Sequence, residues 1–432
     1  MRKSRFGFCA VLILSLPSAA ACAAPADGSA HQYAQGIRRG APADVGMSSE
    51  GLGRIGPAMQ ELIDEGRTGG IMTLVARRGT IVHWEANGWR VVDEDPLEPN
   101  DVFRIYSMTK PITSTAIMIL VEEGQLELDQ PLSEVVPAFA DVEVYDEGEL
   151  RAPSRQITIR DLLRHTSGLT YGAFGNSEVD QMYRAAGIGV ASTLDLEETV
   201  AGIAAMPLLV DPGARWNYSV STDVLGRVVE IVSGQTLDSF FQERIFDPLG
   251  MVDTGFQVPA EKLDRFTGVY SRRNDELVMS DSPTDGAFAK PPVWLSGGGG
   301  LTSTAMDYLR FSQMMLNEGE LDGARILRPE SVRAMRSNQL PDALIPIRLG
   351  GPIRNSGFGL GFAVTVEGDD EGLFWWAGIA STYFWIDPAE DIVAFAWTQY
   401  MPLGGVRIDP ILRGIVYESL VERNRLVPVG TP

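Results

Sequence analysis

The chain has 432 residues, of which 44% are hydrophobic and 22% charged, so it can bury a large core and does not have the composition of a disordered or fibrous protein. Its formal net charge of -21 repels phosphate backbones and anionic lipid, so we expect no nucleic-acid partner. Its two cysteines, Cys9 and Cys22, lie near the start, which excludes disulfides and thiolate metal sites from the rest of the chain.

Residues 1–24 have the three parts of a secretory signal peptide. Basic residues at 2, 3 and 5 precede an apolar run at 6–16, and an alanine-rich cleavage region follows. The apolar run has about half the length of a membrane-spanning helix, and no later run is long enough, so we expect no transmembrane span. We therefore expect an exported protein, periplasmic or secreted. A lipoprotein anchored through Cys22 is the alternative.

The elements predicted after the signal peptide concentrate strands at the two ends of the chain. In chain order they are an arm (25–43), an amphipathic helix (48–66), a β-hairpin (71–76 and 80–86), a mostly helical stretch with long Gly/Pro loops (about 112–350), a second hairpin (382–386 and 392–397) and a last helix (about 406–421).

This order predicts an α/β (α+β) fold, with a mainly antiparallel sheet built from N- and C-terminal segments, flanked by helices. An inserted, mostly helical region interrupts the two sheet-forming parts. We assign residues 44–425 to a single domain, with the sheet-bearing part at about 44–120 and 350–425 and the helical part at about 121–349. The chain has no internal repeat and no linker typical of independent domains.

The segment Tyr106-Ser-Met-Thr-Lys110 places a hydroxyl and an amine three residues apart at the start of a predicted helix. Pro111 lacks an N–H and therefore belongs in the first turn, which places the helix start close to Ser107. Residues i and i+3 share a helix face, so Ser107 and Lys110 can meet. The positive helix end favours a serine alkoxide and disfavours a protonated lysine, as nucleophilic catalysis with a lysine base requires.

The alternative is that Ser107 only caps the helix and Lys110 is a solvated side chain. The composition argues against it, because the chain has 32 arginines and only four lysines, and this is its only Ser-x-x-Lys segment. Lysine can release a proton, whereas arginine cannot.

Other catalytic systems are weakly supported by the sequence. It has no Gly-x-Ser-x-Gly segment, and its three histidines, His31, His83 and His165, form no metal-ligand cluster. Asp161 and His165 are spaced to pair, but we interpret His165 as stabilising a loop. We therefore expect no metal and no cofactor.

Five further segments resemble the serine hydrolases of the class C β-lactamase and penicillin-binding-protein superfamily, most closely its family VIII carboxylesterases. They are RDLLRHTSGLTYG (160–172), PGARWNYSVSTDVLG (212–226), DPLGMVDTGF (247–256), LSGGGGLTSTAMDYLRF (295–311) and WWAGIASTYFWIDP (375–388). The likeness runs in order from about residue 44 to 420.

The resemblance implies roles for residues in three segments. Ser107 and Lys110 match the nucleophile motif, and Tyr218 matches the proton-relaying tyrosine of a Tyr-x-Asn element. It also implies an oxyanion hole formed by the backbone N–H groups of Ser107 and Ile379. Without the resemblance, Tyr218 would be interpreted as an aromatic residue packing beside Trp216.

Two departures from the family pattern bear on the substrate. Val220 replaces the asparagine, and Trp376 of Trp376-Ala377-Gly378 replaces the cation or imidazole that would face a substrate carboxylate. Losing a charged hydrogen bond costs roughly 1.5–3 kcal/mol for an anionic substrate and nothing for a neutral ester. We therefore expect Trp376, Ala377, Gly378 and Val220 to contact a small-molecule ester.

The sequence thus predicts an exported serine hydrolase that cleaves carboxylic esters of small acids. The alternatives on the same fold are a β-lactamase, a D-amino-acid peptidase, an amide hydrolase or an acyltransferase. A binding protein without catalysis is a third possibility. The sequence does not indicate the oligomeric state.

Overall fold

Segments from the two ends of the chain form one nine-stranded central sheet. The structure is a computed structural model that describes residues 36–189, 193–349, 351, 353 and 355–424. The predicted signal peptide and residues 25–35 of the predicted arm lie outside the described residues.

The strands are short outside the central sheet. In chain order they are β1 (Arg38–Arg39), β2 (Gly70–Arg77), β3 (Thr80–Val91), β4 (Asp95–Pro96), β5 (Phe103–Arg104), β6 (Val144–Asp146), β7 (Glu149–Arg151), β8 (Val269–Arg273), β9 (Glu276–Asp281), β10 (Thr302–Ser303), β11 (Glu320–Leu321), β12 (Ala324–Arg325), β13 (Ser356–Phe358), β14 (Ala363–Thr365), β15 (Phe374–Gly378), β16 (Thr382–Asp387), β17 (Ile392–Trp397) and β18 (Tyr400–Met401).

Most helices lie in the middle of the chain. They are α1 (Ser49–Leu52), α2 (Ile55–Asp64), α3 (Thr109–Glu122), α4 (Ile159–Leu163), α5 (Glu178–Ala185), α6 (Leu196–Ala204), α7 (Ser221–Ser233), α8 (Leu237–Phe241), α9 (Asp247–Leu249), α10 (Ala305–Leu316), α11 (Pro329–Met335) and α12 (Ile408–Glu418). Within the described ranges, none of the helices is both long and apolar enough to cross a bilayer.

The strand order across the central sheet is β1-β3-β2-β17-β16-β15-β14-β13, and β4 pairs with β3. Strand β17 lies antiparallel to β2, with Phe395 opposite Leu74, so the C-terminal hairpin continues the N-terminal one. Among the described strands of this central sheet, β1 alone pairs in parallel, with β3. These pairings confirm the predicted fold class, a mainly antiparallel sheet built from both ends of the chain and flanked by helices.

Two apolar layers hold the sheet from its two sides. Every residue of β17 is buried, because both of its faces are covered. On one face Phe384 and Phe395 pack in the cluster that contains residues of α3, α7 and α10. On the other face Trp385 packs in the cluster that contains residues of α2 and α12.

The predicted helix at 48–66 is wrong as a single element. It divides into α1 and α2, with Gly53 and Arg54 between them. Pro57 explains the interruption, because a continuous helix would need its missing N–H to bond the Gly53 carbonyl, and its ring would clash there. Ser48 caps α1 by accepting a hydrogen bond from the Gly51 N–H at 3.0 Å.

The middle of the chain also differs from the mostly helical prediction. It contains the β-hairpins β6–β7 and β11–β12, and strands β8 and β9 join β18 in a three-stranded sheet. These strands are two to six residues long, too short for periodicity to distinguish them from loops. The described part of the predicted arm also contains the edge strand β1, with Arg38 opposite Thr80.

His83 is a half-buried titratable group of the β2–β3 hairpin, and its Nε2 lies 2.7 Å from Thr73 Oγ1. Burial lowers the pKa of His83 from 6.5 to about 4, although the nearby Glu85 carboxylate opposes this effect. The unfolded chain therefore binds a proton near pH 6.5 while the folded protein does not. The effect of His83 on the free energy of unfolding is therefore most favourable above pH 6.5, and the fold loses that stability as the pH falls towards 4.

We expect His83→Gln to reduce the acid sensitivity of the fold. Between pH 6.5 and pH 5 the wild type loses about 2 kcal/mol through this residue, which is a few degrees in Tm for a chain of this size. Thermal unfolding of both proteins at pH 7 and pH 5 measures the difference. Equal losses of Tm in the two proteins would contradict the prediction.

Candidate active site

Ser107 lies in a tight turn between α3 and the short strand β5, which pairs with β10. A 3-10 turn at Tyr106–Met108 links β5 to α3, and Tyr106 adopts a positive φ of 42°. The helix starts at Thr109, so Pro111 occupies its third position, where no intrahelical N–H is needed. Ser107 does not cap the helix, because the N-cap residue is Met108. The Met108 side chain makes no capping hydrogen bond.

The Ser107 hydroxyl contacts both of its predicted partners. The Tyr218 hydroxyl donates to Ser107 Oγ at 2.7 Å, and Lys110 Nζ donates to the same oxygen at 3.3 Å. The structure therefore brings together three residues from different elements. Ser107 lies in the turn before α3, Lys110 on α3 and Tyr218 in the segment before α7.

Lys110 is only 1% exposed, and its amine has three acceptors. Besides Ser107, it donates to the Tyr171 hydroxyl at 2.9 Å and to the Gly298 carbonyl at 2.6 Å. Three acceptors match the three N–H groups of an ammonium. The amine also lies 4.6 Å from the Tyr218 ring centroid, where the ring's negative face stabilises a cation.

Tyr171 and Gly298 are site residues that the sequence reasoning missed. Both lie in segments that carry the family resemblance, 160–172 and 295–311, but nothing in their spacing indicates a contact with Lys110. Both accept a hydrogen bond from the Lys110 amine. Val220, which replaces the asparagine of the family pattern, is buried at the N-cap of α7. Burial and the neighbouring Tyr218 and Asp223 raise the pKa of Tyr171.

The run Gly297–Gly300 approaches α3 through its backbone. Thr113 Oγ1 donates to the Gly297 carbonyl at 2.7 Å, and the Leu301 N–H donates to Thr109 Oγ1 at 3.1 Å. A Cβ at Gly297 would lie 2.6 Å from the Thr222 carbonyl oxygen, so the space excludes a side chain. Thr304 then caps α10 by accepting from the Asp307 N–H.

His165 supports the tyrosine rather than forming a triad with Asp161. Its ring lies 4.9 Å from the Tyr218 ring, and its Nδ1 lies 3.3 Å from Ser219 Oγ. Burial, reinforced by the charge of Lys110, lowers the pKa of His165 well below its usual value. Asp161 instead accepts hydrogen bonds from Thr158, Arg164 and Thr166 and completes the capping box of α4.

Trp376 forms an apolar wall beside the tyrosine. It is 3% exposed, and its ring lies 5.2 Å from Tyr218 and 5.3 Å from Phe358. Its neighbour Trp375 points to the other face of the sheet, as alternation along a strand requires, and packs near Trp385 and Tyr383.

The end of β15 lies against the turn that carries Ser107. A Cβ at Gly378 would lie 2.4 Å from the Ile105 carbonyl oxygen and 2.3 Å from Thr382 Oγ1, so only glycine allows this approach. Ala377 is buried opposite Tyr383. Ile379 follows directly at this junction. The oxyanion-hole role of the Ser107 and Ile379 N–H groups stays a prediction.

The arrangement is suited to nucleophilic catalysis. A hydroxyl bonded to a phenol and an amine can transfer its proton as it attacks a carbonyl carbon, and the same groups can return a proton to the leaving group. In the described part of the chain, no group of three His, Cys, Asp or Glu residues is placed to hold a metal ion.

Several known proteins are similar to this chain over most of its length. A family model described as Beta-lactamase matches residues 57–417. Protein Rv1367c from Mycobacterium tuberculosis is 35% identical over 362 residues, covering 80% of this chain and 89% of that protein. Esterase EstB from Burkholderia gladioli is 31% identical over 366 residues, covering 78% and 87%. The structure of EstCE1, a hydrolase with promiscuous acyltransferase activity, matches with a TM-score of 0.75 at 28% identity, covering 85% of this chain and 99% of that one.

We expect a fluorophosphonate probe to label Ser107, and Tyr218→Phe to slow the labelling by about 100-fold, the usual contribution of a general acid–base group. The hydroxyl of Tyr218 contacts Ser107 Oγ, so its removal leaves the nucleophile without its shortest hydrogen bond. The labelling rate is measured by mass spectrometry of the intact protein. Tyr145→Phe, in β6, is the control and should label at the wild-type rate. Fast labelling of Tyr218→Phe would remove Tyr218 from the mechanism.

Proposed function

This chain belongs to the β-lactamase family, and on that premise we propose that it is a serine carboxylesterase that cleaves neutral esters of small carboxylic acids. The observation that carries the proposal is the contact of Ser107 Oγ with both Tyr218 and Lys110, beside an apolar Trp376.

In the proposed reaction Ser107 Oγ attacks the ester carbonyl carbon and forms a tetrahedral intermediate. For this step the amine of Lys110 is neutral: Tyr218 takes the proton from Ser107 as it releases its own proton to Lys110, so that one proton in total reaches the amine. The negative charge forms on the carbonyl oxygen next to the N–H groups of Ser107 and Ile379. Collapse breaks the bond to the alcohol oxygen, which takes up the proton and leaves. Water then attacks the acyl-enzyme and gives a proton through Tyr218 to Lys110. The bond to Ser107 Oγ breaks, the acid leaves, and the proton returns to Ser107 Oγ.

The charges near Ser107 favour a neutral substrate over a penicillin or a D-alanyl peptide. The amine of Lys110 already has three acceptors, so it has no free N–H to pair with a substrate carboxylate. Trp376 occupies the place of a cation in the family pattern, and its ring contacts Tyr218 and Phe358. An anionic substrate would therefore lose its water without gaining a charged partner.

Acyl transfer to an alcohol is the second candidate function. Phe174 is 49% exposed, although its ring lies only 5.6 Å from Tyr218 and 5.7 Å from Tyr171. An exposed ring at this place offers an apolar surface to the alcohol, whose oxygen must approach Tyr218 to exchange a proton. Bound alcohol could then compete with water for the acyl-enzyme, and EstCE1 is described as having acyltransferase activity.

We also propose that the protein is exported, on the signal-peptide pattern of residues 1–24. Fusing these residues to a reporter that is active only outside the cytoplasm tests the proposal. An inactive reporter would contradict it.

The central test compares a p-nitrophenyl butyrate substrate with a chromogenic cephalosporin on one preparation of the protein. We expect the ester to have the higher kcat/KM, because it needs no cationic partner. Ser107→Ala should lower ester turnover by at least about 1000-fold, because it removes the nucleophile. Undiminished turnover by Ser107→Ala would rule out the acyl-enzyme, and faster cephalosporin hydrolysis would reverse the substrate assignment.

The exposed ring of Phe174 gives a separate prediction about the alcohol group. Phe174→Ala should lower kcat/KM for benzyl butyrate about tenfold, the value of burying part of an aromatic ring, and leave methyl butyrate within about twofold. Leu150→Ala is a matched control, since Leu150 is also exposed but lies on β7. Equal losses for the two esters would mean that Phe174 does not contact the alcohol.

A further inference from the structure

A buried carboxylate lies behind the lysine, and the reaction described above does not use it. Asp223, in the first turn of α7, is 1% exposed. Its Oδ1 accepts hydrogen bonds from Ser296 Oγ at 2.6 Å and from the Gly298 N–H at 3.1 Å. Its Oδ2 is buried and has no hydrogen-bond partner within the described residues. An unpaired buried carboxylate oxygen is costly, so a nearby positive charge is needed to offset it.

Gly298 connects this carboxylate to the amine. Its N–H donates to Asp223, while its carbonyl accepts from Lys110 Nζ at 2.6 Å. The position of the Gly298 carbonyl, and with it one of the three acceptors of the amine, therefore depends on Asp223. Ser296 bonds the same oxygen and fixes the start of the glycine run.

Gly298 also leaves a narrow space between Asp223 and Tyr171. A Cβ at position 298 would lie 2.6 Å from Asp223 Oδ2 and 2.9 Å from the Tyr171 hydroxyl. The two oxygens flank the same point, and both contacts are too short for a methyl group. Glycine is therefore required here by space, which keeps the carboxylate close to the phenol that holds Lys110.

The charge on Lys110 depends on the titratable side chains around its amine, and Asp223 is one of them. Tyr171, Tyr218, His165 and Asp223 are the titratable groups that face the amine, and burial keeps His165 neutral. Burial raises the pKa of Asp223, while the charge of Lys110 and the hydrogen bonds from Ser296 and Gly298 lower it. Burial is the largest of these effects, so the pKa of Asp223 is raised overall. In the proposed reaction its carboxylate form would stabilise the positive charge that Lys110 gains when the amine takes the proton from Ser107.

We propose that Asp223 is a positioning residue for Lys110, which it holds against Ser107 through Gly298 and whose protonated form it stabilises by its charge. The inference rests on the proposed hydrolase mechanism, since it describes how the proton-transferring amine is set. Asp223 itself touches neither Ser107 nor the substrate. Its loss should affect the chemical step, and substrate binding should change little.

The experiment is Asp223→Asn, which keeps the shape of the side chain and removes its charge. With p-nitrophenyl butyrate we expect kcat to fall by about 10- to 100-fold and KM to change less than threefold. Without the carboxylate charge, protonation of Lys110 is less favourable. The limb of the pH–rate profile that reports the amine should therefore move to lower pH by about one unit.

Two variants separate charge from architecture. Ser296→Ala removes a hydrogen bond to Asp223 but keeps the charge, so the amine limb should stay in place. Gly298→Ala places a methyl group between Asp223 and Tyr171 and should lower kcat even if Asp223→Asn does not fold. Asp223→Asn with wild-type kcat and an unmoved limb would overturn the proposal, and so would an equal shift of the limb in Ser296→Ala.

The pH dependence of fluorophosphonate labelling distinguishes this proposal from the choice of substrate. The probe reports the reactivity of Ser107 without any ester being hydrolysed. A shifted labelling profile in Asp223→Asn supports the positioning role even if the wild type hydrolyses no ester in the panel. An unshifted labelling profile contradicts that role even if the wild type is an active esterase.

Discussion

The burial of the Lys110 amine is the constraint on which the active site depends. An amine removed from water needs an acceptor for each of its N–H groups. Its acceptors come from three parts of the chain: Ser107 in the preceding turn, Tyr171 after α4 and Gly298 before α10. The inserted helical region must therefore pack correctly on α3 before the amine is satisfied. The contacts that stabilise this packing also set the catalytic geometry.

The sheet supplies the other side of the site. Strand β15 ends at Gly378, whose lack of a side chain lets the strand approach the Ile105 carbonyl just before the nucleophile turn. Strand β16 separates it from β17, which joins the C-terminal hairpin to β2, so residues far apart in the chain meet in one sheet. Glycines at 298 and 378 thus serve the same purpose on opposite sides of Ser107, because each allows backbone to lie where a side chain would not fit.

The polarity of the site contrasts with that of the whole chain. The protein has a formal net charge of -21, yet the rings of Tyr218, Trp376 and Phe358 pack together beside the nucleophile. The Lys110 amine next to Ser107 already has three acceptors inside the protein. A site of this kind discriminates by shape and apolar contact, which agrees with the proposal of a neutral ester as the substrate.

The sequence by itself determined the features that arise from local patterns. Alternating and continuous apolar runs predicted both hairpins, and the short spacing of Ser107, Lys110 and Pro111 predicted their common helix start, since these depend on neighbouring residues. The family resemblance added Tyr218, which the structure places 2.7 Å from Ser107 Oγ. Local pattern failed at Pro57, where the apolar stripe continues through a proline that the backbone of a single helix cannot accommodate. Only the tertiary structure decided that Tyr171, Gly298 and Asp223 surround Lys110. Tyr171 is 61 positions from Lys110 in the sequence, and Gly298 is 188 positions from it. No periodicity in the sequence encodes contacts over such separations.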